Sequence, residues 1–217
     1  MTSAYGGEIG SGTKGTEVLK LPLCGATIDG VPVEVDTFRE SEWEMGLALM
    51  NKIIEDGLSW PFEEDWGGYK NMDGYRAYFL SHSAFVIRVT DGPAKGEIVG
   101  CFYVKPNFPG RCSHICNGGF ITSEKWRRKG VGKLMAASFL KFGKELGYKA
   151  SYFNLVFANN PASVALWETM GFKRIAHIPK CARLKGVEGL VDAYGYHYDL
   201  ESLPNDFDPV AASGQRH

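Results

Sequence analysis

One stretch, Phe120 to Phe172, restricts what this chain can fold into more than any other. Ile115–Ile121 reads as a strand. It is followed by the basic, glycine-spaced turn Arg127-Arg128-Lys129-Gly130-Val131-Gly132-Lys133 and a helical pattern over Leu134–Leu146. A second strand, Ser151–Phe157, leads through Asn159-Asn160-Pro161 to a short helix, Ala162–Met170, and then Gly171-Phe172. Two strands joined through a helix pair in parallel, and such crossovers are right-handed. Strands before and after this centre make the fold class α/β, a mixed sheet in one domain.

The turn between strand and helix has the chemistry of an anion site. Gly130 and Gly132 let the backbone approach a ligand, and the next helix opens with unpaired N–H groups and the positive end of its dipole. Lys125, Arg127, Arg128, Lys129 and Lys133 add positive charge there. The basic turn is local, because the formal net charge of the 217 residues is −1. A general nucleic-acid binder carries a large excess of Lys and Arg, so a small phosphorylated ligand is the expectation, with no nucleic-acid partner.

Arg127-x-x-Gly130-x-Gly132 resembles the Arg/Gln-x-x-Gly-x-Gly/Ala turn of the GNAT N-acetyltransferase superfamily. About thirty residues on, Asn160-Pro161-Ala162-Ser163-Val164-Ala165-Leu166-Trp167-Glu168-Thr169-Met170-Gly171-Phe172 is similar to that superfamily's Asn-x-x-Ala-x-x-Leu-Tyr-x-x-x-Gly-Phe segment. The resemblance implies a GNAT fold, a mixed central sheet of about seven strands flanked by helices with a parallel, splayed pair at its centre. It also implies acetyl-coenzyme A (acetyl-CoA) as cosubstrate, with its pyrophosphate on the turn. The coenzyme contacts so implied are Phe120, Ile121, Arg127, Arg128, Lys129, Gly130, Val131, Gly132, Lys133 and Asn160.

In chain order, residues 1–17 are rich in Gly, Ser and Thr and read as a disordered tail. A single N-acetyltransferase domain is expected over 18–203, and 204–217 reads as a second tail with little to pack. Val31–Thr37 reads as a first strand. Ser41 reads as the N-cap of a helix ended by Gly57, Tyr69–Tyr78 as a second helix, and Ala84–Val89 and Glu97–Val104 as strands. Lys105–Gly110, with two prolines and a glycine, reads as irregular. Lys173–Ile178 and Ala193–Leu200 complete the strands. No run approaches the ~18 apolar residues of a membrane span. Without an export signal the five cysteines read as reduced thiols, and a cytoplasmic protein with no membrane partner is expected.

A closer resemblance rests on Gly100-Cys101-Phe102-Tyr103-Val104-Lys105-Pro106-Asn107, on Arg111-Cys112-Ser113-His114-x-Cys116-Asn117-x-Gly119-Phe120, and on Phe153-Asn154-Leu155-Val156-Phe157. These are similar to the proline-analogue acetyltransferases, which N-acetylate L-azetidine-2-carboxylate. The resemblance runs from about Trp60 to Leu200. It implies a homodimer, a role in detoxification, a small-molecule amine as partner, and Asn117 and Asn154 as active-site residues. Read from the residues alone, Asn117-Gly118-Gly119 is either a bulge that opens the sheet to ligand or a turn with a locally bonded amide. Asn154, polar in an apolar strand, is either aimed at substrate or an amide stitching two core elements together.

Asn160 reads as the cap of the helix at Ala162, with Pro161 at its first position. Trp167 stands where many relatives carry a tyrosine that protonates the departing thiolate, and an indole N–H is too weak an acid for that. In a strand Cys112, His114 and Cys116 would share one face, but they lack a fourth ligand and no metal is expected. No general base is evident. The expected reaction is direct attack of an amine on the acetyl thioester. The alternatives are a GNAT enzyme with another acceptor, such as a polyamine, a different amino acid or a protein amine, and a non-catalytic acetyl-CoA-binding module.

Overall fold

A computed structural model describes residues 8–214 of the chain. Eight strands form one sheet: β1 (Leu23–Ala26), β2 (Pro32–Thr37), β3 (Ser83–Val89), β4 (Ile98–Pro106), β5 (Ile115–Thr122), β6 (Ala150–Phe157), β7 (Lys173–Ala182) and β8 (Val191–Asp199). Five helices accompany them: α1 (Trp43–Asp56), α2 (Met72–Tyr78), α3 (Val131–Glu145), α4 (Pro161–Thr169) and α5 (Pro209–Ala212). The strand order is β1-β2-β3-β4-β5-β6-β8-β7. Every neighbouring pair is antiparallel except β5 and β6, the pair joined through α3. This is the mixed α/β sheet with a central parallel pair that the sequence suggests, with eight strands in place of about seven.

Two apolar layers hold the sheet. Phe102, Phe139, Phe142, Phe153 and Trp167 lie in the layer under α3 and α4, and Met50, Tyr75, Tyr78, Phe79 and Tyr103 in the layer under α1 and α2. Strand alternation sends successive side chains of β4 to opposite layers: Cys101 and Tyr103 to one, Phe102 and Val104 to the other. A buried ion network ties the chain entering α1 to the sheet. Arg88, 2% exposed, donates from Nε and Nη2 to the two carboxylate oxygens of Glu42 (2.8 and 2.9 Å). Its Nη1 donates to Glu34 (2.7 Å) and Asp36 (2.9 Å), and Nη2 also reaches the Thr37 carbonyl (2.8 Å). Burial opposes the charge, but these hydrogen bonds hold the guanidinium above its ordinary pKa.

Several sequence readings are corrected. Strand β1 carries no clear alternation and was not anticipated. A 3₁₀ turn over Glu40–Glu42 precedes α1, so Ser41 lies inside that turn and is not the cap. Strand β4 continues through Lys105 and Pro106, because β5 opposes it as far as Pro106↔Cys116. The stretches read as tails carry structure where they are described. The Gly12 N–H donates to the Leu80 carbonyl (2.9 Å) and the Gly12 carbonyl accepts from Ala84 (2.7 Å), docking this segment beside β3. Near the other end Asp208 caps α5, and Val210, 1% exposed, packs in the layer under α3. Residues 1–7 and 215–217 lie outside the described residues.

A candidate acetyl-transfer site between two parting strands

Strands β5 and β6 pair only at Ile115↔Ala150 and Cys116↔Ser151. Beyond that point β5 stays in register with β4 to Gly100↔Thr122, while β6 stays with β8 to Phe157↔Ala193, so the two part. Their facing edges wall a cleft with a cavity volume of about 160 Å³. The cleft is lined by Asn117–Phe120 of β5, Phe153–Phe157 of β6, Asn160, Ser163 and Trp167 of α4, and Trp60, Tyr78 and Tyr103 from the α1–α2 side. Edge backbone groups without a ladder partner are hydrogen-bonding sites for an extended ligand arm.

The sequence reading of a bulge at Asn117-Gly118-Gly119 is corrected. No register shift occurs at Gly118-Gly119. The irregularity lies across the cleft, where Phe153↔Tyr196 is followed by Val156↔Tyr194, so that β6 carries one extra residue at Asn154-Leu155. The glycines of β5 serve close packing instead. A Cβ at Gly118 would come within 2.6 Å of the Phe139 ring, and one at Gly119 within 2.6 Å of both Trp60 and Tyr103.

Both asparagines reach the cleft, and both also carry the bonds of their structural alternatives. Asn117, 8% exposed, accepts from the Gly118 N–H at its Oδ1 (2.9 Å), which leaves its Nδ2 as the donor for a further partner. Asn154 forms a reciprocal amide pair with Asn107: Asn107 Nδ2 donates to Asn154 Oδ1 at 3.0 Å, and Asn154 Nδ2 donates to Asn107 Oδ1 at 2.7 Å. Each amide keeps one N–H and one lone pair for a further partner.

The basic turn opens α3. Gly130 is the N-cap residue at φ 82°, no side chain caps the helix, and the first helical bond runs from Leu134 N–H to the Gly130 carbonyl (3.1 Å). The N–H groups of Val131, Gly132 and Lys133 therefore have no intrahelical acceptor. A Cβ at Gly132 would meet only Leu166 of α4, at 3.8 Å, so this first turn lies beside α4. The positive charge is smaller than the sequence suggests. Lys125 pairs with Glu97 (2.6 Å), Lys129 with Asp29 and, more loosely, Arg127 with Asp56 (3.9 Å). Arg128 and Lys133 are exposed and carry no ion pair among the described residues. Phe120 lines the cleft, whereas Ile121 is buried in the layer under α1 and α2 and Val131 in the layer under α3.

On the α4 wall, Asn160 caps the helix by accepting from the Ser163 N–H (3.1 Å), with Pro161 at its first position. Trp167, 4% exposed, sits among Phe120, Phe153 and Phe172 and donates its indole N–H to Ser163 Oγ (3.0 Å). Cys112 and His114 precede β5 and are exposed, while Cys116 is buried with its thiol pushed up to about 12, so the three do not share a strand face. No group of three or more His, Cys, Asp or Glu side chains that could hold a metal occurs among the described residues.

A second cavity of about 590 Å³ shares Trp60, Pro61, Leu155 and Phe157 with the cleft. Its rim carries Glu63 and Glu64 from the α1–α2 loop opposite Arg183 and Lys185 from the loop after β7. They pair across it as Glu63–Arg183 (3.1 Å) and Glu64–Lys185 (3.4 Å). Sequence reasoning passed over Trp60, Tyr78, Tyr103, Asn107 and Ser163.

Residues 47–172 match the family model described as Acetyltransferase (GNAT) family. The chain belongs to that family. Its members take the acetyl group from acetyl-CoA. The chain is 53% identical over 109 residues to N-acetyltransferase aca1 of Schizosaccharomyces pombe, a match that covers 50% of this chain and 52% of that one. This chain thus spans about half the length of that relative. The fold is shared with a GCN5-related N-acetyltransferase from Kribbella flavida (TM-score 0.69, 22% identity, 77% of this chain and 97% of that one). It is shared too with yncA of Salmonella typhimurium, solved with its cofactor acetyl-CoA (TM-score 0.67, 13% identity, 79% and 96%). No helix among the described residues of this GNAT chain is long and apolar enough to cross a membrane.

Proposed function

We propose that this GNAT protein transfers the acetyl group of acetyl-CoA to the amine of a small amino acid, with L-azetidine-2-carboxylate or a related proline analogue as the acceptor class. The observation that carries the reading is the cleft itself, two parallel strands that part beside the uncapped N-terminus of α3. The pyrophosphate lies over residues 128–133, held by the N–H groups of Val131, Gly132 and Lys133 with Arg128 and Lys133 nearby. The pantetheine arm passes between β5 and β6 as an added strand would, and Asn160 stands beside its path.

Proximity supplies much of the rate once thioester and amine share the cleft. The backbone N–H of Phe120, on the edge of β5 turned away from β4, and the Nδ2 of Asn117 are suited to the oxyanion or to the acceptor carboxylate. Asn154, held by Asn107, orients the incoming amine. On the α4 wall, Ser163 Oγ already accepts the Trp167 indole proton, so its own hydroxyl is free to donate to the departing sulfur. An amino-acid acceptor is favoured by the resemblance of Gly100–Asn107, Arg111–Phe120 and Phe153–Phe157 to the proline-analogue enzymes. The mixed-charge rim of the adjoining cavity also suits a zwitterion.

The test is coenzyme A release, with mass spectrometry of products, across a panel of cyclic amino acids, linear amino acids, polyamines and peptide amines. Selective acetylation of azetidine-2-carboxylate and its analogues is expected. Preference for a polyamine or peptide amine would overturn the acceptor assignment, and retained binding without turnover would mean a non-catalytic module. Sedimentation of the purified protein tests the dimer that the same resemblance implies.

A further inference from the structure

The acceptor is an ammonium at neutral pH and must lose a proton before it can attack. A buried group beside the cleft is suited to this need. Lys105 is 1% exposed; its Nζ donates to the Tyr78 carbonyl at 3.0 Å and lies 3.9 and 4.4 Å from the ring centroids of Tyr78 and Tyr103. The hydroxyls of those tyrosines are 3.0 Å apart, and both residues line the cleft. In the β4–β5 ladder Lys105 stands directly opposite Asn117, so the two side chains share one face of the sheet.

An ammonium this deeply buried without a carboxylate is costly. No ion pair involves Lys105 among the described residues, and burial pushes its pKa down to about 7. Among the described residues the other titratable neighbours supply no negative charge. His82, between α2 and β3, is pushed to about 4 by burial and then by the charges of Lys14 and Lys105, so it is neutral. Burial raises the Cys101 thiol on β4 and the Tyr75 phenol on α2.

We infer that Lys105, Tyr78 and Tyr103 form one proton-accepting cluster, which loses a proton to solvent in the free protein and takes one back from the ammonium of the bound acceptor. The inference rests on the acetyl-transfer reading above. An N–H bond of the acceptor ammonium breaks, its electron pair stays on nitrogen, and the cluster ends as two phenols and a Lys105 ammonium. The amine then attacks the thioester carbon, the C–S bond breaks, and sulfur leaves with the electron pair. The second nitrogen proton completes the coenzyme A thiol, and the cluster returns its own proton to solvent. Tyr78 and Tyr103 are the members that line the cleft. Lys105 touches no substrate; it is a positioning residue that acts through the two rings, since a cation over them stabilises a phenolate. The protons belong to the cluster and not to one member.

The test is kcat/KM against pH, with the fastest acceptor of the amine panel. Lys105→Met keeps the side-chain volume and removes the charge. It is expected to lose about 10²-fold at pH 7 and to regain activity as the pH approaches the acceptor's own deprotonation. Acetyl-CoA affinity should be unchanged. Tyr103→Phe keeps the ring and should give the same pH-dependent loss, which decides the matter if Lys105→Met does not fold. An equal loss at every pH, or a profile unchanged from the parent protein, would overturn the cluster while leaving acetyl transfer intact. A parent protein that acetylates no amine would overturn both.

Discussion

Asn154 on β6 and Asn107 in the turn after β4 hold one another through two reciprocal amide hydrogen bonds, 2.7 and 3.0 Å long, across the closed end of the parting strands. The bond fixes which way the Asn154 amide faces exactly where β6 carries its extra residue. Asn154→Ala should lower kcat by about 10²-fold, comparable to removing an oxyanion donor. Asn107→Ala, at a residue that does not itself line the cleft, should lower kcat by a smaller factor, and the double variant should cost less than the product of the two. Asn117→Ala should act mainly on KM. Steady-state kinetics beside melting temperatures check this. Near-normal kinetics in Asn117→Ala and Asn154→Ala would make both purely structural amides.

Gly132 separates coenzyme binding from folding. A Cβ there meets only Leu166, at 3.8 Å, and the residue lies within α3. Gly132→Ala should therefore stabilise the fold by up to about 1 kcal/mol through helix propensity. Gly132→Val should weaken acetyl-CoA binding with the fold retained. Gly130 is a poorer probe, because at φ 82° any side chain strains the turn by about 1–2 kcal/mol. Calorimetric titration with acetyl-CoA beside thermal unfolding distinguishes the two effects, and unchanged affinity in a folded Gly132→Val protein would remove the turn from the site.

Arg88 is expected to matter for stability and not for the chemistry. Arg88→Met leaves Glu42, itself buried, without its guanidinium and should cost about 3–5 kcal/mol in urea unfolding. Any folded fraction should keep its specific activity, since Arg88 does not line the cleft.

Lys105 gives a stability signature with a definite sign. Its pKa falls from the ordinary 10.5 to about 7 on folding, so between those values the unfolded chain binds more protons than the folded one. Stability should rise with pH across that window. The cost of the buried ammonium is therefore fully present below pH 7 and gone above about 10.5. Lys105→Met should gain stability relative to the parent most strongly below pH 7, with the difference shrinking steadily as pH rises. A difference that does not vary with pH would mean that Lys105 titrates normally.

What was legible in the sequence is what local chemistry fixes. Gly57 in a left-handed C-cap, Asn160-Pro161 opening α4 and the strand–turn–helix of β5 and α3 each depend on a few adjacent residues. The features that escaped are set by partners far along the chain. The irregularity in β6 exists only against β8, Asn107 meets Asn154 from 47 residues away, and Gly12 is fixed by Leu80 and Ala84. Paired glycines on β5 suggested a bulge that lies instead on β6, because close packing against Phe139, Trp60 and Tyr103 leaves the same trace in sequence. Lys105 was read as the start of a loop because Pro106 follows it, and only pairing with Asn117 shows that it belongs to the sheet.

The most direct test of the central claim is to incubate the purified protein with acetyl-CoA and L-azetidine-2-carboxylate and to follow free coenzyme A and the mass of the amino acid together. The account expects one acetyl group gained by the ring nitrogen for each coenzyme A released, slowed about 10²-fold in Asn154→Ala and weakened in Gly132→Val through acetyl-CoA affinity. Coenzyme A release without an acetylated amine, or acetylation that persists unchanged in both variants, would contradict it.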